Sequence, residues 1–202
     1  MLFQMFEMPF NLPKFKHLMV SPHELRSGLS TLINREIRNA KLGKEAWMII
    51  KLNNIVDTKI VNKLYQASRA GVRIDIICRG ICVLIPQVKG LSDNLRVISI
   101  VDKYLEHSRI HVFANDGDPL YFISSADWMS RNFDHRFEIA CPIYDESLKS
   151  EIMDILKIQL ADNVKARIVN TDPINAYVDG GNDIKIRSQF DELQENYGNY
   201  PI

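Results

Sequence analysis

An imidazole two residues ahead of a guanidinium, His107 and Arg109, opens the stretch of this chain richest in reactive side chains. If Ser108 to Phe113 is a strand, alternation puts His107, Arg109 and His111 on one face and Ser108, Ile110 and Val112 on the other. A guanidinium grips phosphoryl oxygens through a fork of N–H donors, and an imidazole moves protons near neutral pH. These types suit phosphoryl chemistry. Groups downstream extend the set: the turn Ser124-Ser125-Ala126-Asp127, the pair Arg131-Asn132, and Glu138. Glu138 either orients the His107 ring or pairs with Arg136 or a lysine. His111 reads as structural, His17, His23 and His135 as surface or capping groups, and Trp47 and Trp128 as core.

Such groups need a frame. Trp47 to Asn53 (WMIIKLN) and Val72 to Cys78 (VRIDIIC) read as buried strands. A helix from Asp57 to Ala70 joins them, with Asp57 as its N-cap and Gly71 as its stop. This unit predicts parallel strands, and in open α/β sheets ligands lie beyond the carboxyl ends of the strands. Lys51 and Asn53 share one strand face there. Arg79 follows the other strand, and Gly80 after it lets backbone approach a ligand. A cation, an amide and a guanidinium at one edge make a phosphate pocket. The alternative lays Lys51 along apolar surface and pairs Arg79 with a surface carboxylate.

The remaining pattern predicts a short strand over Phe15 to Val20, then Ser21 as N-cap, Pro22 at the first helical position and Glu24 completing a capping box. Leu25, Leu29, Leu32, Ile33, Ile37 and Ala40 give that helix its inner face, up to about Gly43. Further strands are expected over Arg96 to Val101, Leu120 to Ser124, Arg136 to Ile143 and Val164 to Val169. A helix from Asp145 to Leu160 carries the stripe Ile152, Ile155, Leu156 and Leu160. The fold class is therefore α/β, a mixed β-sheet flanked by helices. Residues 1–14 read as a segment leading from a preceding domain and 15–170 as the domain itself. Residues 171–202 read as a polar C-terminal tail with a short helix around Arg187 to Tyr197.

Lys plus Arg is 25 and Asp plus Glu is 25 in 202 residues, so no net charge draws in a polyanion. A phosphate site must be a local cluster, and bulk nucleic-acid binding is disfavoured. Cys78, Cys82 and Cys141 lack CxxC spacing and read as reduced core thiols of a cytosolic protein. No apolar run has the length of a membrane span, and the first residues lack a secretory layout. The histidines and cysteines show no metal-ligand spacing, and no P-loop is present.

From about Phe15 to Arg167 the chain resembles the C-terminal, phospholipase D-like domain of bacterial polyphosphate kinases of the histidine-phosphorylating type. The segments KHLMVSPHELR, IIKLNNIVD, GVRIDIICRGIC, LSDNLRVISIVDKYLEHSRI, SSADWMSRN and DNVKARI carry the likeness. The family's HxK signature stands here as His107-Ser108-Arg109, with Arg for the usual Lys, and its GSxN turn as Ser124-Ser125-Ala126-Asp127. The resemblance implies reversible transfer of the terminal phosphate of ATP to inorganic polyphosphate, through a phosphohistidine and with Mg²⁺. It also implies ATP and ADP as ligands, contact with the preceding domains of the same chain, and a homo-oligomer at full length. The location implied is cytoplasmic, free or peripheral at the membrane. In that family the Arg of the RG pair and the His of LEHSR contact the nucleotide phosphates, which match Arg79 and His107. Lys51, Asn53, Arg109 and Glu138 match motif text without an assigned role. The phosphorylated histidine and the Mg²⁺-linked arginines of the family lie in the preceding domain, whose motifs are missing here. The chain thus corresponds to roughly the last third of such an enzyme and should not turn over alone. Two rival readings are a phospholipase D-type phosphodiesterase with His107 as nucleophile, which needs a second HxK copy, and a non-catalytic oligomerisation module.

Overall fold

Apolar runs with little alternation demand burial on both faces, and the middle of the sheet supplies it. The computed structural model describes residues 15–171, 174–179, 181 and 184–190. Its elements in chain order are β1 (Met19–Val20), α1 (Leu25–Lys41), β2 (Trp47–Leu52), α2 (Thr58–Arg69), β3 (Arg73–Cys78) and β4 (Leu95–Ile100). After these come β5 (Ile110–Phe113), β6 (Leu120–Ser124), the short α3 (Ser130–Asp134), β7 (Ile139–Ile143), α4 (Glu146–Ala161) and β8 (Ala166–Ile168). They form an eight-stranded sheet ordered β1-β7-β6-β5-β2-β3-β4-β8. β2, β3 and β4 are mutually parallel and the other pairings are antiparallel. The expected mixed sheet with flanking helices is the observed one.

Strand alternation sorts the core into two layers. Met48, Ile50 and Leu52 of β2 join Ile74 and Ile76 of β3 against Leu25, Leu29 and Ile33 of α1 and Ile60 and Leu64 of α2. Ile49, Ile77, Ile98, Ile110 and Val112 face the other way, onto Leu156 of α4. Burying each such side chain contributes roughly 1.5–3 kcal/mol, the main force holding helices to sheet. Asp57 caps α2 by accepting from Ile60 N at 3.0 Å, and Asp145 caps α4 by accepting from Ser147 N at 2.9 Å and Leu148 N at 3.1 Å.

Several local expectations are corrected. Ser21 is not a helix cap: α1 starts at Leu25 after Glu24, whose side chain makes no capping bond. The Ser21 hydroxyl instead donates to Arg136 O at 2.7 Å and accepts from Glu138 N at 3.0 Å, clipping the end of β1 to the start of β7. Residues 136–138 are taken up by that clip, so β7 begins at Ile139 rather than Arg136. β5 begins at Ile110, leaving His107 to Arg109 ahead of the ladder. The expectations for residues 1–14, and for the tail helix beyond residue 190, fall outside the described residues. The described part of the tail returns to the domain. Val178 N donates to Ala166 O at 2.9 Å, and the Asp162 carboxylate accepts from Ser188 N at 2.9 Å and its hydroxyl at 2.8 Å. Among the described residues, no helix is long and apolar enough to cross a membrane, and the three cysteines are free thiols.

Candidate functional site: one edge of the sheet

Register decides which residues meet. Lys51 near the end of β2 lies opposite Ile110 at the start of β5, Ile110 opposite Ile123, and Ser124 opposite Ala140. The residues that follow β2, β3, β4 and β6 and those that precede β5 and β7 therefore gather along one edge. Asn53, Arg79, His107, Arg109, Asp127 and Glu138 all belong to that edge.

On the α4 side of the edge, a crevice is lined by Lys51, Asn53, Arg79, Glu106, Ser108 and Gln159. Arg79 is half-buried there, and among the described residues its guanidinium has no hydrogen-bond or ion-pair partner. Its turn packs so closely that a Cβ on Gly80 would fall 2.8 Å from Asn53 O and from Asn54 Oδ1. Glycine at 80 is thus what lets the Arg79 turn sit against the end of β2. Lys51 also lines the crevice, but its ammonium is ion-paired with Glu106 and donates to Gln159 Oε1 at 2.7 Å. The ammonium expected at the phosphate is thus already paired, because alternation aims Lys51 at α4 with Ile49. Burial raises the Glu106 carboxyl, but the Lys51 charge and the donors of Gln189 and Gln159 outweigh it and hold the group below its ordinary range.

The α1–α2 side of the edge is built around Asp127. Its carboxylate accepts from Arg109 Nε at 3.1 Å, Asn53 N at 3.0 Å, Asn53 Nδ2 at 3.4 Å and Asn54 Nδ2 at 2.8 Å. Burial pushes this carboxyl up, yet the Arg109, Asn54 and Asn53 hydrogen bonds leave it below the usual value. Arg109 reaches on to His107: Nη1 donates to His107 O at 2.9 Å, and Nη2 lies 3.0 Å from the ring Nε2. His107 itself is exposed, with its ring open to solvent. Glu138 does not touch His107. Its carboxylate accepts from the Ser125 hydroxyl and from Asn132 Nδ2 at 2.7 Å, so Arg109, not Glu138, braces the imidazole. Asn53 spans both halves, lining the crevice while its backbone and side chain hold Asp127. Among the described residues no cluster of His, Cys, Asp and Glu could hold a metal ion. The edge carboxylates, Glu106, Asp127 and Glu138, are each engaged by protein donors and do not converge on one point, so this side-chain set does not fit a resident magnesium ion.

His111 is buried beneath this edge, its ring tilted 50° against Trp128 with centroids 5.2 Å apart, and neither ring nitrogen has a hydrogen-bond partner among the described residues. Burial lowers its pKa from 6.5 to about 3. Between those values the unfolded chain takes up a proton that the folded chain refuses. Its contribution to stability is complete above pH about 6.5 and falls by about 1.4 kcal/mol per pH unit as the pH drops. Below pH about 4, loss of the depressed Asp127 and Glu106 carboxylates acts in the same direction. Urea unfolding at pH 7 and pH 5 should show this loss, and His111→Phe should flatten it.

The sequence matches the family described as "Polyphosphate kinase C-terminal domain 2" over residues 18–189. The chain belongs to the polyphosphate kinase family. A polyphosphate kinase of Vibrio cholerae is 54% identical over 183 residues, which are 91% of this chain and 26% of that protein. One from Escherichia coli K12 is 46% identical over 187 residues, 93% of this chain and 27% of that protein. The chain spans about a quarter of the length of these curated relatives, less than the third expected from sequence. The crystal structure of polyphosphate kinase from Porphyromonas gingivalis superposes with a TM-score of 0.92 at 43% identity, covering 98% of this chain and 30% of that one. Nuc of Salmonella typhimurium, a phospholipase D family member, superposes with a TM-score of 0.56 at 10% identity over 76% of this chain, so the polyphosphate kinase domain has a phospholipase D-like fold.

Proposed function

We propose that this domain binds the phosphate chain of ATP or ADP, and the end of inorganic polyphosphate, for reversible phosphoryl transfer between them. The observation that carries the reading is the half-buried Arg79 guanidinium, without a partner among the described residues, in a crevice on the edge that also exposes His107. A buried cation left unpaired is costly, so such a group implies an anion that pairs with it. The nucleophile is assigned to a histidine of the preceding domain, and this domain supplies the charge and proton chemistry around the moving phosphoryl. Arg79 binds its equatorial oxygens as charge spreads in a loose transition state. His107 hydrogen-bonds to or moves a proton at the leaving or attacking oxygen. Arg109 only donates, and its Nη atoms lie 3.3 Å from His107 Nδ1 and 3.0 Å from Nε2, so it holds the ring in place beside the phosphate. Magnesium, when it accompanies the nucleotide, neutralises phosphate oxygens, with ligands outside this chain. The functional protein is cytoplasmic, free or peripheral at the membrane, acts on no nucleic acid and is a homo-oligomer at full length.

Calorimetry of this chain with tripolyphosphate and ADP tests the reading. Binding should weaken with salt and drop by about tenfold or more in Arg79→Gln. The chain alone should not make polyphosphate and should not hydrolyse bis-nitrophenyl phosphate. Hydrolysis of that diester would favour the phosphodiesterase reading instead.

A further inference from the structure

The segment that delivers His107 has little apolar packing beyond the contact of the Tyr104 ring with Phe190, their centroids 6.4 Å apart. Residues 101–109 link β4 to β5 without regular structure, and Val101 and Leu105 are 68% and 80% exposed. Polar contacts hold it instead, and they converge on Glu106, the residue before His107. Glu106 Oε2 accepts from Lys51 Nζ and, at 2.8 Å, from Gln159 Nε2, while Oε1 accepts from Gln189 Nε2 at 3.0 Å. One carboxylate thereby ties the segment to the central strand β2, to α4 and to the C-terminal stretch of the domain. That stretch grips the segment twice more. Gln189 accepts from Tyr104 N at 2.9 Å and donates to Tyr104 O at 2.8 Å. Arg187 forks onto Asp102 at 2.8 and 2.6 Å.

We propose that Glu106 is a positioning residue for His107, locking its backbone at the sheet edge through Lys51, Gln159 and Gln189. The role of Lys51 is then indirect: its charge holds the carboxylate that holds the histidine. This rests on the reading of His107 as a phosphate-site group only for its consequence, not for its geometry. A glutamine at 106 offers one acceptor oxygen where the structure uses two, so at least one of the three donors loses its partner.

The test uses this chain with labelled histidine and tryptophan. In the parent protein the His107 Cε1–H NMR signal should stand apart from the random-coil position. In Glu106→Gln and in Gln189→Leu that signal should collapse towards the random-coil position, with the Trp128 indole signal unmoved. Tripolyphosphate affinity should fall about tenfold in both. If Glu106→Gln does not fold, Gln189→Leu, which keeps the Lys51 ion pair, decides alone. An unmoved His107 signal overturns the proposal, and so does a Trp128 signal that moves equally, since that marks general loosening. If the parent chain binds no tripolyphosphate while the His107 signal still collapses in the variants, the positioning role stands and the phosphate reading falls.

Discussion

Arg79→Lys, in a full-length polyphosphate kinase carrying this domain, should lower kcat/KM by about 10²–10³ and leave stability within about 0.5 kcal/mol. Lysine keeps the charge but replaces a rigid planar fork with a compact ammonium, which loses the parallel two-N–H grip on a pair of phosphoryl oxygens. Stability is spared because the guanidinium has no partner among the described residues and its aliphatic stem is only half-buried. His107→Ala should lose about 10²–10⁴ in rate with its proton-transfer group, and its stability should hold because the exposed ring supports nothing beneath it. Steady-state transfer rates in both directions, with urea unfolding alongside, check both. Wild-type turnover in either variant would remove that residue from the mechanism.

Asp127→Ala should act in the opposite manner, through the fold, with a loss of about 3–5 kcal/mol in urea unfolding. The carboxylate serves Arg109, Asn53 and Asn54, and the Arg109 side chain is only 12% exposed. Alanine would leave the Arg109 Nε donor and the buried Asn53 backbone N–H without acceptors. Asp127→Asn should cost less, since its carbonyl still accepts, but it turns an NH₂ towards donors. A loss below about 1 kcal/mol for the alanine variant would show that solvent replaces the carboxylate.

The frame of this domain was legible because it rests on local pattern. WMIIKL is apolar but for Lys51 and RIDIIC ends in the apolar run Ile76, Ile77 and Cys78, the pattern of strands covered on both faces towards their ends. Asp57 and Asp145 precede their helices at the position where a short carboxylate reaches the free N–H groups. Ser21 carried the same signature and failed it, since the strand turn before α1 gave its hydroxyl a distant partner, Arg136 O. α3 escaped notice because Ser130–Asp134 is too short to show a helical period.

At the site, the polar types were visible and their partners were not. The positions of Arg79, His107 and Arg109 follow from the strand pattern. That Lys51 answers to Glu106, and Glu138 to Ser125 and Asn132, depends on contacts far apart in sequence. Asp127, the hub of one half, was read only as part of a turn. Gln159 was missed altogether, although it left a trace: it is a polar side chain set on the apolar stripe between Ile155, Leu156 and Leu160 of α4, and it is buried.

Arg109 touches two neighbours at once, and its contacts show what a planar head group makes available. It clasps Asp127 with one side of its plane and steadies the carbonyl and ring of His107 with the other. The scaffold and the reactive ring are therefore joined by one rigid bracket, so whatever disturbs the buried aspartate is felt at once by the histidine.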